Sequence, residues 1–119
     1  MNNIKTRTYQ CSISTIRFLN LLPSKYLFNV IGNQLLRSAT SIGANIVEAQ
    51  ASSSRKEFIN YVQISLKSSN ETGYWLQLIM DSFPQYRSNL NSLLNENLEI
   101  SKMLGASLLT LKGKNKKQN

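Results

Sequence analysis

A strongly amphipathic stretch near the start of the chain reads KYLFNVIGNQLLRSATSIGANIVEAQ and spans residues 25–50. Apolar side chains recur in it at steps of three and four residues: Leu27, Ile31, Leu35, Ala39, Ile42, Ile46 and Ala49. This spacing puts them on one face of an α-helix, and Ser24 can cap the first turn. The stretch therefore predicts an amphipathic helix about 39 Å long, at 1.5 Å per residue, with one buried face.

The flanking segments show the same periodicity. Residues 5–22 stop before Pro23, which disfavours helical geometry in the preceding residue, and their predicted inward face carries Cys11, Ile16, Leu19 and Leu22. Downstream, Ser54 and Glu57 form a capping-box signature for a third helix. The inward stripe of that helix has an unusually small, polar middle, with Ser65 or Leu66 followed by Ser69 and Gly73. Both segments predict helices that pack against residues 25–50.

A fourth helix is predicted to begin near Pro84, which suits a first helical turn, and to end at Gly113. Its stripe includes Leu90, Leu93, Leu94, Leu98, Met103, Leu104, Leu108 and Leu111. No hairpin signal or sustained apolar-polar alternation favours a strand. We therefore predict an all-α fold, an antiparallel up-down-up-down four-helix bundle over residues 1–112, followed by a basic disordered tail at 113–119.

Apolar residues also lie outside the inward stripes of helices 2 and 3. They are Phe28, Leu36, Val47, Ile59, Tyr61, Ile64, Tyr74, Trp75, Leu78 and Ile79. A second buried face formed by contact between subunits explains them better than scattered exposed side chains. We expect a homo-oligomer.

Composition excludes the commonest catalytic sites. The 119 residues suffice for one domain. They contain no histidine, which removes His-based triads, general bases and His-rich zinc sites. Cys11 is the single cysteine, and its apolar neighbours indicate a buried thiol in a reducing cytoplasm. No signal peptide or apolar run of membrane-spanning length is present, so we expect a cytoplasmic protein with no membrane partner and no cofactor or metal.

The positive charge gathers at one end of the predicted bundle. Fourteen Lys and Arg face six Asp and Glu, a net charge of +8. The predicted topology brings together the start of helix 1, the turn between helices 2 and 3, and the end of helix 4. The cations there are Lys5, Arg7, Arg55, Lys56, Lys112, Lys114, Lys116 and Lys117. This basic pole favours a phosphate backbone as partner; the alternative is a lysine tail that only keeps the domain soluble.

A row of polar residues follows helix 2 and faces a similar row on helix 3. The first comprises Arg37, Ser41, Asn45 and Glu48, and the second Glu57, Tyr61, Ser68 and Glu71. Steps of three and four residues put each row on one helix face. We interpret them as a structural network in which buried polar groups satisfy one another. A magnesium-dependent enzyme using Glu48, Glu57 or Glu71 is an alternative without a ligand motif.

The motif QLLRSATSIGANIVE at 34–48, followed by SRKEF at 54–58 and ISLKSSNE at 64–71, resembles the bacterial 23S ribosomal RNA intervening-sequence proteins. The resemblance covers about residues 10–111. It departs from the family pattern at Ala49, where the family usually has glycine. The resemblance implies a bundle that assembles into a ring, commonly a pentamer, with no established enzymatic activity. It also implies relatedness to the accessory variability protein of diversity-generating retroelements, which binds nucleic acid and a reverse transcriptase.

These observations favour a non-enzymatic, ring-forming protein that binds RNA or DNA through the basic pole with little sequence specificity. The competing hypothesis is a protein-interaction scaffold for a reverse transcriptase or a ribosome-associated factor. The basic pole separates the two, because the scaffold does not need it.

Overall fold

The computed structural model describes the backbone of residues 2–118 and the side chains of residues 3–113. Within that range the fold is four helices and no strand, as predicted: α1 (Asn2–Leu19), α2 (Tyr26–Gln50), α3 (Arg55–Ser82) and α4 (Arg87–Gln118). A 3₁₀ turn, Pro84–Tyr86, leads into α4. Each helix packs against its neighbours in the order α1–α2–α3–α4–α1, which closes a bundle 52 Å long and 21 Å across.

The core confirms the stripe predicted for α2 except at its start, where Leu27 is 58% exposed. Leu35, Ala39, Ile42, Ile46 and Ala49 are all buried. They pack with buried apolar side chains of the other helices, among them Ile4, Cys11, Phe18, Val62, Leu76, Ile79, Leu90, Ile100 and Leu104. Ile79 therefore belongs to the core and not to a second face.

Several core positions are occupied by small polar residues, which hydropathy alone would place on the surface. Ser65 and Ser69 are buried on α3 as predicted, and they are joined by Thr8, Thr15, Ser38, Thr72 and Asn97. In turn Ile16 and Leu98, predicted to face inward, are 51% and 48% exposed. The inward faces of α1 and α4 are thus rotated relative to the predicted stripes, because Thr8, Thr15 and Asn97 are small enough to pack and find hydrogen-bond partners inside.

The helix ends confirm one predicted cap and correct two others. Ser54 caps α3, its Oγ accepting from the Glu57 backbone N–H at 3.1 Å. Ser24 does not cap α2, because Lys25 is the N-cap residue and makes no side-chain cap bond. Gly113 does not end α4, whose helix continues to Gln118; a glycine within a helix costs only about 1 kcal/mol relative to alanine.

Helices α1 and α2 approach closely at Gly43. A Cβ at this position would lie 3.3 Å from Thr8 Oγ1. One turn away, Ser12 Oγ donates to the Ala39 carbonyl at 3.4 Å. Because glycine has no side chain, the buried Thr8 of α1 packs directly against α2 at Gly43.

Candidate nucleic-acid interface

Three of the predicted basic-pole residues line one groove between the start of α3 and the end of α4. Arg55, Lys56 and Lys112 surround a volume of about 630 Å³, together with Ile59, Asn60 and Gln63. The three cations are exposed, and the lining contains no acidic side chain. Arg55 Nη2 donates to the Leu111 carbonyl oxygen at 3.1 Å, which ties its guanidinium across the two helices. We call this the α3–α4 groove.

Lys5 lies on a different groove. It lines a cavity of about 440 Å³ between α1 and α2, with Tyr9, Gly43, Ala44 and Val47 among its neighbours. In this bundle α1 packs against α2 and α4 but not against α3. The structure thus separates Lys5 from the cations of the α3–α4 groove.

Arg7 forms a partly exposed ion pair between α1 and α4. Its Nε and Nη2 donate to the two carboxylate oxygens of Glu96 at 3.0 and 2.5 Å, and its Nη1 lies 3.0 Å from Met103 Sδ. The hydrogen bond from Arg7 holds the pKa of Glu96 below its usual value. The sequence interpretation counted Arg7 as a free cation of the pole; its charge is instead neutralised between α1 and α4.

The remaining predicted cations of the pole are Lys114, Lys116 and Lys117, whose side chains lie outside the described residues. The backbone of α4 passes through these positions. The structure has helical backbone over residues 113–118, where the sequence predicted a disordered tail. That these three lysine side chains belong to the basic pole stays a prediction.

The polar rows of α2 and α3 meet in two separate clusters. In the first, Arg37 pairs with Glu71, which also accepts from Trp75 Nε1 at 2.9 Å. These contacts lower the pKa of Glu71, the Trp75 hydrogen bond most and the Arg37 contact next. In the second, Ser41 Oγ lies 2.9 Å from both Ser68 Oγ and Asn45 Nδ2. The predicted network is thus present for these residues, although Arg37 is exposed.

The other members of the rows stand outside these clusters. Glu48 is exposed, and no described side chain pairs with it. Glu57 accepts from Ser53 Oγ at 3.4 Å, within its own capping turn. Tyr61 is half-buried against the core. Among the described residues no group of three or more His, Cys, Asp or Glu side chains could hold a metal ion, so Glu48, Glu57 and Glu71 are not brought together.

A buried polar layer is the main feature that sequence reasoning did not find in full. Thr72 Oγ1 donates to Ser38 Oγ at 2.9 Å. Ser69 Oγ donates to Asn97 Oδ1 at 3.1 Å, and Asn97 Nδ2 returns a hydrogen bond to the Ser69 carbonyl at 2.9 Å. Every buried side-chain N and O atom within residues 3–113 has a partner. The signal for it was the polar middle of the α3 stripe, which requires partners on α2 and α4.

Most of the acidic residues form ion pairs, and these pairs lie away from the α3–α4 groove. Four of the six acids pair with a cation: Glu96 with Arg7, Glu71 with Arg37, Asp81 with Arg87 at 3.6 Å, and Glu99 with Lys102 at 3.5 Å. Among the described side chains, none of the cations of the α3–α4 groove has such a partner. Three of the seven described cations without an ion pair therefore lie together in the α3–α4 groove; the other four, Lys5, Arg17, Lys25 and Lys67, lie outside it.

Two further sequence predictions concern Cys11 and the membrane. Cys11 is 2% exposed, and burial raises the pKa of its thiol to about 11, so it is a buried, unreactive thiol as predicted. In the part of the chain that the structure describes, none of the helices has the length and apolarity needed to cross a bilayer.

The architecture defines an all-α protein of the four-helix-bundle class, with polar links between its helices and a basic end. Within that class, the chain belongs to the 23S rRNA-intervening sequence protein family, whose sequence profile matches residues 2–106. It is also similar to a crystal structure from Bacteroides thetaiotaomicron, a protein of unknown function from the S23 ribosomal protein family. The two chains are 35% identical, the match covers 88% of this chain and 97% of the other, and the TM-score is 0.81. No curated protein matches the chain.

Proposed function

We propose that this chain is a non-enzymatic nucleic-acid-binding protein that holds the phosphate backbone of RNA or DNA with little sequence preference. The observation that carries the proposal is the α3–α4 groove, where Arg55, Lys56 and Lys112 gather without an acidic partner. Flexible cations attract phosphate at any sequence, because they contact the backbone and not base edges. Membership in the 23S rRNA-intervening sequence family supports an RNA-related role.

The working form is a homo-oligomeric ring, with five subunits as the preferred number. Exposed apolar side chains on the sides of the bundle support this, including Tyr9 at 65%, Val47 at 50% and Tyr74 at 61%. Such side chains gain free energy when a second subunit covers them. In a cyclic assembly all copies of the α3–α4 groove face the same side, so their fields add over a surface wide enough for a nucleic-acid strand.

The test is binding of fluorescent RNA and DNA oligonucleotides to the full chain across a salt series. For single strands the slope of log K against log salt is about −0.7 per neutralised phosphate. Three cations in the groove therefore predict about −2 per subunit engaged. Arg55→Glu with Lys56→Glu should weaken binding at least tenfold and make the slope shallower. The matched control, Lys25→Glu with Lys67→Glu, makes the same charge change at exposed positions outside the groove. It should reduce the affinity for nucleic acid much less.

The competing scaffold hypothesis predicts a different outcome. If Arg55→Glu with Lys56→Glu binds nucleic acid as the parent does, or if binding is indifferent to salt, the groove is not the binding site and the proposal is wrong. A protein partner of the kind that the accessory variability protein has, a reverse transcriptase, then becomes the better explanation, with the apolar side faces as its contact.

A further inference from the structure

We infer that the α3–α4 groove accommodates one unstacked nucleotide, so that the protein prefers single-stranded nucleic acid to a duplex of the same sequence. This inference rests on the proposed function and adds a structural preference to it. It follows from the size of the groove, from the side chains between its cations, and from one hydrogen bond that shapes it.

The size suits a nucleotide. The groove is open to solvent and has a volume of about 630 Å³, which falls within the range of roughly 300–1,000 Å³ that is typical of small-ligand sites. A flexible single strand can place a sugar and base in such a space. A duplex keeps its bases stacked and paired, so it cannot place a base inside the groove and contacts the cations at the rim mainly through phosphates.

The residues between the cations have the chemistry to contact a base. Lys56, Ile59, Asn60 and Gln63 are spaced by three, one and three residues, which puts them on one face of α3. Ile59 is half-buried and supplies an apolar surface. The side-chain amides of Asn60 and Gln63 make no hydrogen bond to any described residue, so their donors and acceptors are available. Side-chain amides can pair with the edges of splayed-out bases in single strands.

The hydrogen bond from Arg55 to the Leu111 carbonyl organises the groove in advance. At 3.1 Å it links the first residue of α3 to the last part of α4 and uses one N–H of the guanidinium. The remaining N–H donors of Arg55 stay available for a phosphate oxygen. The phosphate is thereby placed at the mouth, with the amides of Asn60 and Gln63 one and two turns further along α3.

The absence of an aromatic side chain among the groove residues sets the expected size of the preference. Base stacking on an aromatic ring is the usual source of tight single-strand binding. Hydrogen bonds and one isoleucine are weaker, so we expect a single strand to bind roughly tenfold more tightly than the matching duplex, equivalent to about two amide hydrogen bonds in water.

The experiment compares single-stranded and duplex RNA and DNA of one sequence, at one salt concentration, on the full chain. Asn60→Ala with Gln63→Ala keeps the charge and introduces a good helix former. We expect it to lose the single-strand preference while retaining duplex affinity and the salt slope of the parent. Asn70→Ala with Gln77→Ala is the control, because both residues lie on α3 outside the groove; it should bind as the parent does.

An abasic strand of equal length provides the second arm. It keeps the phosphates and removes the bases, so the parent should bind it as weakly as Asn60→Ala with Gln63→Ala binds the intact strand, and the two losses should not add. Equal affinity of the parent for strand and duplex, or full affinity for the abasic strand, overturns the nucleotide site. The proposed function survives that result if Arg55→Glu with Lys56→Glu still weakens binding, so the two proposals fail separately.

Discussion

Trp75 donates its indole N–H to the carboxylate of Glu71, one turn earlier on α3, over 2.9 Å. The same carboxylate pairs with Arg37 of α2. A surface carboxylate thereby joins two helices and contacts the single tryptophan of the chain. This arrangement makes the α2–α3 contact observable by fluorescence.

The emission of Trp75 should report the protonation of Glu71. Because the folded-state pKa of Glu71 is lowered, its stabilising contribution is complete above the ordinary glutamate pKa and is lost as pH falls through the lowered value. We expect a fluorescence transition below the usual glutamate range that disappears in Glu71→Gln. Glu48→Gln, which changes an exposed carboxylate away from Trp75, should keep the transition. A transition that survives in Glu71→Gln contradicts this assignment.

The ion pair between Arg7 and Glu96 should make stability pH-dependent in the same direction. The pKa of Glu96 is lowered by the hydrogen bond from Arg7, so the pair stabilises the fold at neutral pH and ceases to do so as acid protonates Glu96. The Tm of Glu96→Gln should be below that of the parent at pH 7, and the gap should close in acid. Glu99→Gln removes the exposed contact to Lys102 and a weaker electrostatic interaction with Arg7, and should change Tm less than Glu96→Gln does. An equal effect of the two variants at pH 7 would rule this out.

Two glycines within helices should respond oppositely to alanine. At Gly105 a Cβ meets no atom within 4 Å, so Gly105→Ala should stabilise the fold by about 0.4–1 kcal/mol. At Gly73 a Cβ would lie 3.3 Å from Asn97 Nδ2, whose position is held by its bond to Ser69. Gly73→Ala should therefore gain nothing or lose stability. Urea unfolding measures both free energies, and a gain at Gly73 equal to that at Gly105 would show that Asn97 moves freely.

The buried hydrogen bonds between Asn97 and Ser69 should contribute more to the free energy of unfolding than any exposed asparagine does. Asn97→Leu removes two hydrogen bonds inside the bundle, and we expect a loss of about 1–3 kcal/mol in the free energy of unfolding. Asn95→Leu is the control on the exposed face of α4 and should stay within about 0.5 kcal/mol of the parent. Comparable losses in both variants would mean that leucine disturbs α4 by another route.

Assembly can be tested at the groove between α1 and α2. Light scattering should give the parent a mass several times 13.5 kDa. Val47→Asp puts a charge on the exposed wall of this groove and should lower the mass, while circular dichroism shows that the helices persist. Thr110→Asp, at an exposed position on α4 that is already polar, should leave the mass unchanged. A monomeric parent at micromolar concentration contradicts the homo-oligomer.

Much of the candidate interface could be predicted from the sequence. The alternation of four helices places the start of α3 and the end of α4 at one end, so Arg55, Lys56 and Lys112 were expected together and are found together. The same reasoning failed for Arg7 and for the grouping of Lys5. The topology determines which helix ends are adjacent. It does not determine the direction in which a side chain points or the acidic residue with which it pairs.

Local sequence was sufficient for the number and order of the helices and for most of their boundaries, although not for the Ser24 cap or the end of α4. The α2 stripe, the Ser54 cap and the proline boundaries depend on backbone periodicity and turn chemistry, which act over a few residues. The pairs Arg7–Glu96 and Ser69–Asn97 join residues 89 and 28 positions apart. They depend on how far each helix is rotated about its axis and shifted along it. Packing sets both quantities, because small polar residues such as Thr8 and Asn97 can replace apolar ones in the core only when a partner on another helix completes their hydrogen bonds.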